Sequence, residues 1–123
     1  METMYPGYCL GSGVELDRAM DIGLELAVDV SHIYMQLNQQ VLGSATWDRL
    51  QVYDNVSEIH LSSNDGSRDQ HRVVDAGTFG FDWATARAAD GTPLILESYM
   101  HRRPRADRQL EIKTILTAIE VQK

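Results

Sequence analysis

A single cysteine, Cys9, stands among 123 residues. That excludes an internal disulfide framework and any zinc cluster assembled from several thiolates. Prolines are scarce, at positions 6, 93 and 104 only, so no proline-rich linker is present and residues 7 to 92 carry no proline break. No apolar run approaches the roughly eighteen residues of a membrane-crossing helix, and the N-terminus lacks the basic-then-apolar order of a signal peptide. A soluble, cytoplasmic protein without membrane partners is the expectation. Basic residues are also in deficit. Eleven Lys and Arg face eighteen Asp and Glu, and the formal net charge of −7 argues against general nucleic-acid binding. A phosphate-binding glycine loop, an HExxH pair, a nucleophile elbow and a paired-cysteine metal motif are all missing, so neither a cofactor nor a metal is expected from linear motifs.

What is present is a chain the size of one domain, whose 43% hydrophobic content can fill one core. Its clearest signal lies between Ser12 and Gly43. Ser12 and Glu15 have the spacing of a capping box, in which the serine oxygen accepts a first-turn amide. Leu16, Ala19, Met20, Gly23, Leu26, Ala27, Val30, Ile33, Tyr34, Leu37 and Val41 then recur at steps of three and four, with polar residues opposite them. The spacing predicts a helical segment over residues 12–43, which unbroken would be roughly 45 Å long. Gly23 is the expected break. A competing pattern, Leu24, Leu26, Val28 and Val30 alternating with Glu25, Ala27 and Asp29, fits a short strand. Residues 1–11 have no period and read as an irregular arm that crosses the core through Tyr5 and Tyr8.

From Val56 onward, short β-branched or aromatic stretches alternate with turn signals. Ser57 to Ser62 reads as a strand, Asn64-Asp65-Gly66-Ser67 as a turn, and Gln70 to Asp75 as the returning strand. Thr78 to Arg87 reads as a third strand on which Phe79, Phe81, Trp83 and Thr85 share a face. Asp90-Gly91 closes a hairpin into Pro93 to His101. Residues 109–121 fit a helix through Ile112, Ile115, Leu116 and Ile119, but their isoleucine, threonine and valine content favours a last strand. The fold class expected is therefore α+β, a single domain in which a long N-terminal helix packs on a curved antiparallel meander of four to six strands over residues 56–121. In element order this is similar to the nuclear transport factor 2-like and hot-dog groups, although no residue motif of either is present.

Three constellations carry potential chemistry. His60 and His71, with Asp69 or Asp75, have the donor types to bind a metal or move a proton near neutral pH. Asp82, between Phe81 and Trp83, becomes a general base if it faces a cavity. Tyr99 and His101 lead into Arg102, Arg103 and Arg105, whose guanidinium forks match a carboxylate or phosphate. Residues 101–108 carry a local charge of +3, whereas residues 1–29 carry −5. That polarity suits an anionic ligand, or an acidic protein surface, at the basic loop. Two functional readings follow. The first is a binding or interaction protein, a homodimer joined through the long helix, that takes a small anionic ligand at Arg102, Arg103 and Arg105. The second is a cofactor-independent enzyme of hydrolase, isomerase or cyclase type, with a pocket floored by Phe79, Phe81 and Trp83 and acid–base groups from Asp82, Tyr99 or His101.

Overall fold

A computed structural model of the chain describes residues 1–123. Its elements run α1 (Gly13–Asp21), β1 (Leu26–Asp29), α2 (Val30–Asn38), α3 (Ser44–Gln51), β2 (Val56–Leu61), α4 (Phe81–Ala89), β3 (Leu94–Leu96) and α5 (Arg105–Gln122), with a short 3₁₀ turn at Met100–Arg102 before α5. The three strands form one open sheet in the order β1-β2-β3, and both pairings are parallel. Glu2 of the arm adds a parallel bridge to Ala27 on the outer edge of β1. No helix is long and apolar enough to cross a membrane.

This architecture corrects the antiparallel meander of four to six strands. Adjacent parallel strands need a crossover instead of a tight turn, and here helices supply it. Thr78 to Arg87 is not a strand: Phe81, Ala84 and Thr85, spaced by three and four, are the buried side of α4. Asp90-Gly91 ends that helix and leads into β3 without a hairpin. Residues 70–75 form no strand and touch their neighbour only through a Ser63–Arg72 bridge. The last segment is α5, because Ile115 fills the core and Ile119 packs beside it once per turn. Packing overrides the β-propensity of the isoleucines and threonines. A likeness to cone-like folds, which wrap an antiparallel sheet, falls with the meander.

The long N-terminal helix is likewise two helices with a strand between them. Ser12 caps α1 as its spacing predicts, and Glu15 turns its other oxygen to the Leu10 amide, 3.0 Å away. The helix ends at Asp21, and Gly23 takes the left-handed conformation at φ 74° that reverses the chain. Leu26 to Asp29 are then all buried although β1 lies at the sheet edge, because the arm covers its outer side through the Glu2–Ala27 bridge. Gly43, expected to terminate the helix, instead caps the start of α3, and Gln40 takes the left-handed position.

Two apolar clusters hold the helices against one face of the sheet. Leu16, Met20, Leu26, Val28, Ile33 and Leu50 form the first; Val30, Ile59, Leu61, Phe81 and Ile115 form the second. Strand alternation sends the intervening residues Ala27, Asp29, Glu58 and His60 to the opposite face. The side of the sheet away from the helices is therefore rich in ionisable groups.

Gly80 fixes how α4 meets the start of α2. Its φ is 76°, and a Cβ there would lie 2.9 Å from Val30 Cβ and Cγ1. Gly80→Ala meets both a backbone penalty and a steric one, and is expected to cost about 1–3 kcal/mol. A urea midpoint within error of the wild type would contradict this.

Candidate metal centre

The carboxyl ends of parallel strands are where open α/β sheets place their ligand sites. In this chain each of those ends carries a metal-ligating type of side chain. Asp29 closes β1, His60 lies one residue from the end of β2, and Glu97 directly follows β3. The register sets Asp29 beside His60, and the Glu97 amide extends the ladder by donating to the Leu61 carbonyl at 2.9 Å.

Asp29 is 1% exposed, and its two oxygens have different roles. Oδ1 caps α2, accepting from the Ser31 amide at 2.9 Å, the Ser31 hydroxyl at 2.6 Å and the His32 amide at 3.2 Å. Oδ2 has no hydrogen-bond partner, although it is buried. One helical turn on, His32 presents Nε2 at 3.5 Å from that oxygen. The other ring nitrogen, Nδ1, lies 2.8 Å from the Thr3 carbonyl, which can only accept. Nδ1 therefore carries a proton, and in the neutral ring the Nε2 lone pair points at the acids. His71 repeats the device. Its Nδ1 donates to the Glu97 carbonyl at 2.9 Å, and its Nε2 faces Asp69 Oδ2 at 3.3 Å. That same Asp69 oxygen lies 3.1 Å from His32 Nε2, so Asp69 links the two rings.

His60 sits among three glutamates. Nδ1 is 3.2 Å from both Glu2 Oε1 and Glu97 Oε1, and Nε2 is 3.3 Å from Glu58 Oε1. None of these approaches has hydrogen-bond geometry, so both buried ring nitrogens lack a partner. Unpaired buried polar atoms are rare enough to need a cause. Here Asp29 Oδ2, Asp69 Oδ1 and both His60 nitrogens share one neighbourhood. Two sets of donor atoms, Glu2-Asp29-His32 and Asp29-His60-Glu97, each fall within 4.8 Å of one another, with Asp29 common to both. Two ligand atoms held at about 2.1 Å from one ion lie about 3.0–3.4 Å apart. The closest donor pairs here are 3.1–3.5 Å apart, near that spacing, and the remaining atoms of each set lie within 4.8 Å.

The ionisation states follow from this crowding. Burial works to lower the pKa of His32, but Asp69, Asp29 and the Thr3 carbonyl outweigh it and raise it to about 9. His60 is raised in the same way, burial being overcome by Glu58, Glu97 and Glu2. Burial raises Glu97, helped by the charges of Asp29 and Glu2 and opposed by His60. Asp69 is lowered by its bond to His32.

The loop of residues 62–80, which supplies Asp69 and His71, is held from below. Asn64, itself buried, donates to the Ser31 carbonyl at 3.1 Å, and Asn38 donates to the Gly66 carbonyl at 3.1 Å. Glu111 of α5 accepts from the Val74 amide at 2.6 Å. His71 itself adopts a left-handed backbone, φ 50°, which is uncommon outside glycine and recurs at functional sites.

Residues singled out in the sequence divide into two groups. Tyr99 stacks on His71 with ring centroids 4.8 Å apart, His101 lies edge-on to Tyr99, and Arg102 sits 4.7 Å above the Tyr99 ring. Arg103 reaches inward to Glu111, while Arg105 is exposed at the start of α5. Elsewhere, Phe79 stacks with Tyr34 and Trp47, and Trp47 meets Trp83 edge-on. Trp83 donates from Nε1 to the Gln51 carbonyl, and Phe81 is buried in the second cluster. These aromatics join α2, α3 and α4, and Asp82 lies on the exposed first turn of α4. The ligand set centred on Asp29, His32, Glu2 and Glu97 is not evident in the sequence; of the sequence candidates His60, Asp69 and His71 join it, whereas Asp75 accepts from the Gly77 amide at 2.8 Å within its own loop. The available signal was an acid at the end of each short apolar run, Leu-Ala-Val-Asp and Leu-Ile-Leu-Glu, with a histidine three residues after the first.

The chain matches no protein-family model, and comparison with curated proteins and with solved structures returns no match.

Proposed function

We propose that this chain is a divalent-metal-dependent enzyme of hydrolase or isomerase type. The observation that carries the reading is the orphan Oδ2 of the buried Asp29, aimed between two sets of nitrogen and oxygen donors. Five carboxylates, from Glu2, Asp29, Glu58, Asp69 and Glu97, crowd three imidazoles around the strand ends. Apart from protonation, only cations relieve that density of negative charge. Mixed imidazole and carboxylate donors suit zinc, manganese, iron or cobalt better than calcium, which prefers oxygen alone. Bound there, such an ion supplies Lewis acidity and an ionisable water at neutral pH. The chain's own contribution is orientation: Thr3 and Glu97 carbonyls fix the His32 and His71 tautomers, and Ser31 and the α2 amides lock Asp29. Asp69, between two rings, is placed to hold or pass a proton.

This replaces the cofactor-independent enzyme as the preferred catalytic reading. The test is metal content and affinity. Protein dialysed against Zn²⁺ or Mn²⁺ and then buffer is expected to retain metal by mass spectrometry, with retention abolished in Asp29→Asn and lowered in His60→Ala. Circular dichroism of both variants confirms folding. Folded protein that retains no metal, or the same retention in wild type and both variants, refutes the assignment.

A further inference from the structure

His71 has a second neighbourhood. Its ring also lines an open surface cleft of about 450 Å³ whose wall includes Ser63, Arg72, Tyr99, Arg102 and Arg103. No carboxylate lines it, in a protein whose net charge is −7. The three guanidiniums differ in their commitments. Arg103 is fixed by Glu111 at 2.6 Å and by Ser98 at 3.2 Å. Arg72 comes no closer than 3.8 Å to Asp65, and Arg102 lies over the Tyr99 ring. Stacking holds a guanidinium plane without using its N–H donors, so Arg102 keeps its fork available. A hydroxyl at Ser63 adds a further donor.

We propose that this cleft is an anion subsite that holds the phosphate group of a small phosphorylated substrate beside the metal centre. Guanidiniums from the loop after β2 and from the turn before α5 surround a tetrahedral dianion from more than one direction, whereas a planar carboxylate is satisfied by one fork. A polyanion such as nucleic acid is disfavoured by the chain's net charge of −7. His71 is the common wall, so a ligand anchored at Arg72 and Arg102 extends toward Asp69 and the metal ligands. The role as a substrate handle rests on the metal-centre reading; the binding of phosphate does not.

Calorimetric titration of the metal-free protein with inorganic phosphate and with phenyl phosphate separates the two. Both anions are expected to bind more tightly than acetate, and Arg72→Ala and Arg102→Ala each to weaken binding roughly tenfold or more. Both side chains are largely exposed, and Arg105→Ala, outside the cleft, is expected to bind as the wild type does. Phosphate binding that is unchanged in Arg72→Ala and Arg102→Ala, or that is no tighter than acetate, overturns the subsite. With Mn²⁺-loaded protein the ³¹P resonance of phenyl phosphate is expected to broaden in the wild type and to narrow again in Arg102→Ala. Mn²⁺ uptake without broadening refutes the handle, whereas failure to take up Mn²⁺ refutes the metal centre and leaves the subsite to be decided by calorimetry.

Discussion

Glu111→Ala is expected to destabilise the protein by about 3–5 kcal/mol, the range for breaking a buried ion pair by removing one partner. That is a large part of the roughly 5–15 kcal/mol that holds a domain together. Glu111 is 3% exposed and uses both oxygens: Oε1 accepts from the Ser98 hydroxyl at 2.7 Å and Arg103 at 2.6 Å, and Oε2 from the Val74 amide. Truncation leaves the largely buried Arg103 guanidinium uncompensated and strands an amide on Val74, which is 1% exposed. The effect reaches the site because Ser98 follows Glu97, and Val74 closes the loop that carries Asp69 and His71. Glu111→Gln keeps an acceptor for Val74 and the volume of the side chain, and is expected to lose less stability. Urea unfolding of both variants measures the order, and metal affinity of the folded protein measures the coupling. An alanine variant within about 1 kcal/mol of wild type would show that the network is a surface ornament.

That network also explains why parts of the molecule escape a sequence reading. The Ser12–Glu15 cap, the Gly23 reversal, the turn after Asn64 and the strand at Val56–Leu61 are local, and each was legible from spacing and residue type. Strand direction is not local. It depends on whether Thr78 to Arg87 is a returning strand or a crossover helix, and Phe81, Trp83 and Thr85 alternate as well as they follow a helical step. Burial of Ala84 beside Phe81 decides it, and burial is a tertiary fact. The same holds for α1 and α2, whose apolar faces point into one core and so mimic a single helix across Leu26–Asp29. The site is more dispersed still. Only Asp29–His32 and Asp69–His71 are close in sequence, and Glu2, His60 and Glu97 join them solely because three strand ends and the arm are adjacent in the sheet. The basic segment before α5 was visible as charge, but its link to His71 through Tyr99 was not.

Raising the pH from 6.5 to 8.5 is expected to tighten metal binding by about two orders of magnitude for each proton displaced, because an imidazole must be deprotonated to become a ligand. His32 titrates at about 9 in the metal-free protein, so at neutral pH a cation must expel its proton before using Nε2. The stability of the metal-free protein runs the other way. A histidine whose folded pKa is raised from about 6.5 contributes its full stabilisation below that value and loses it as the pH climbs through about 9. His60, shifted upward as well, adds loss in the same direction. At the acid end Asp69 and Asp65, both lowered, contribute stability above the ordinary aspartate pKa and lose it as the pH falls through their depressed values. The metal-free protein is therefore expected to weaken in alkali while the metal-bound protein is reinforced, so that the gap between their thermal midpoints widens from pH 6.5 to 8.5. Proton release on binding, measured by calorimetry in two buffers of different ionisation enthalpy, checks the stoichiometry. Metal affinity that is flat across this window would mean that neither His32 nor His60 gives up a proton to the ion, and would refute a centre built on those rings.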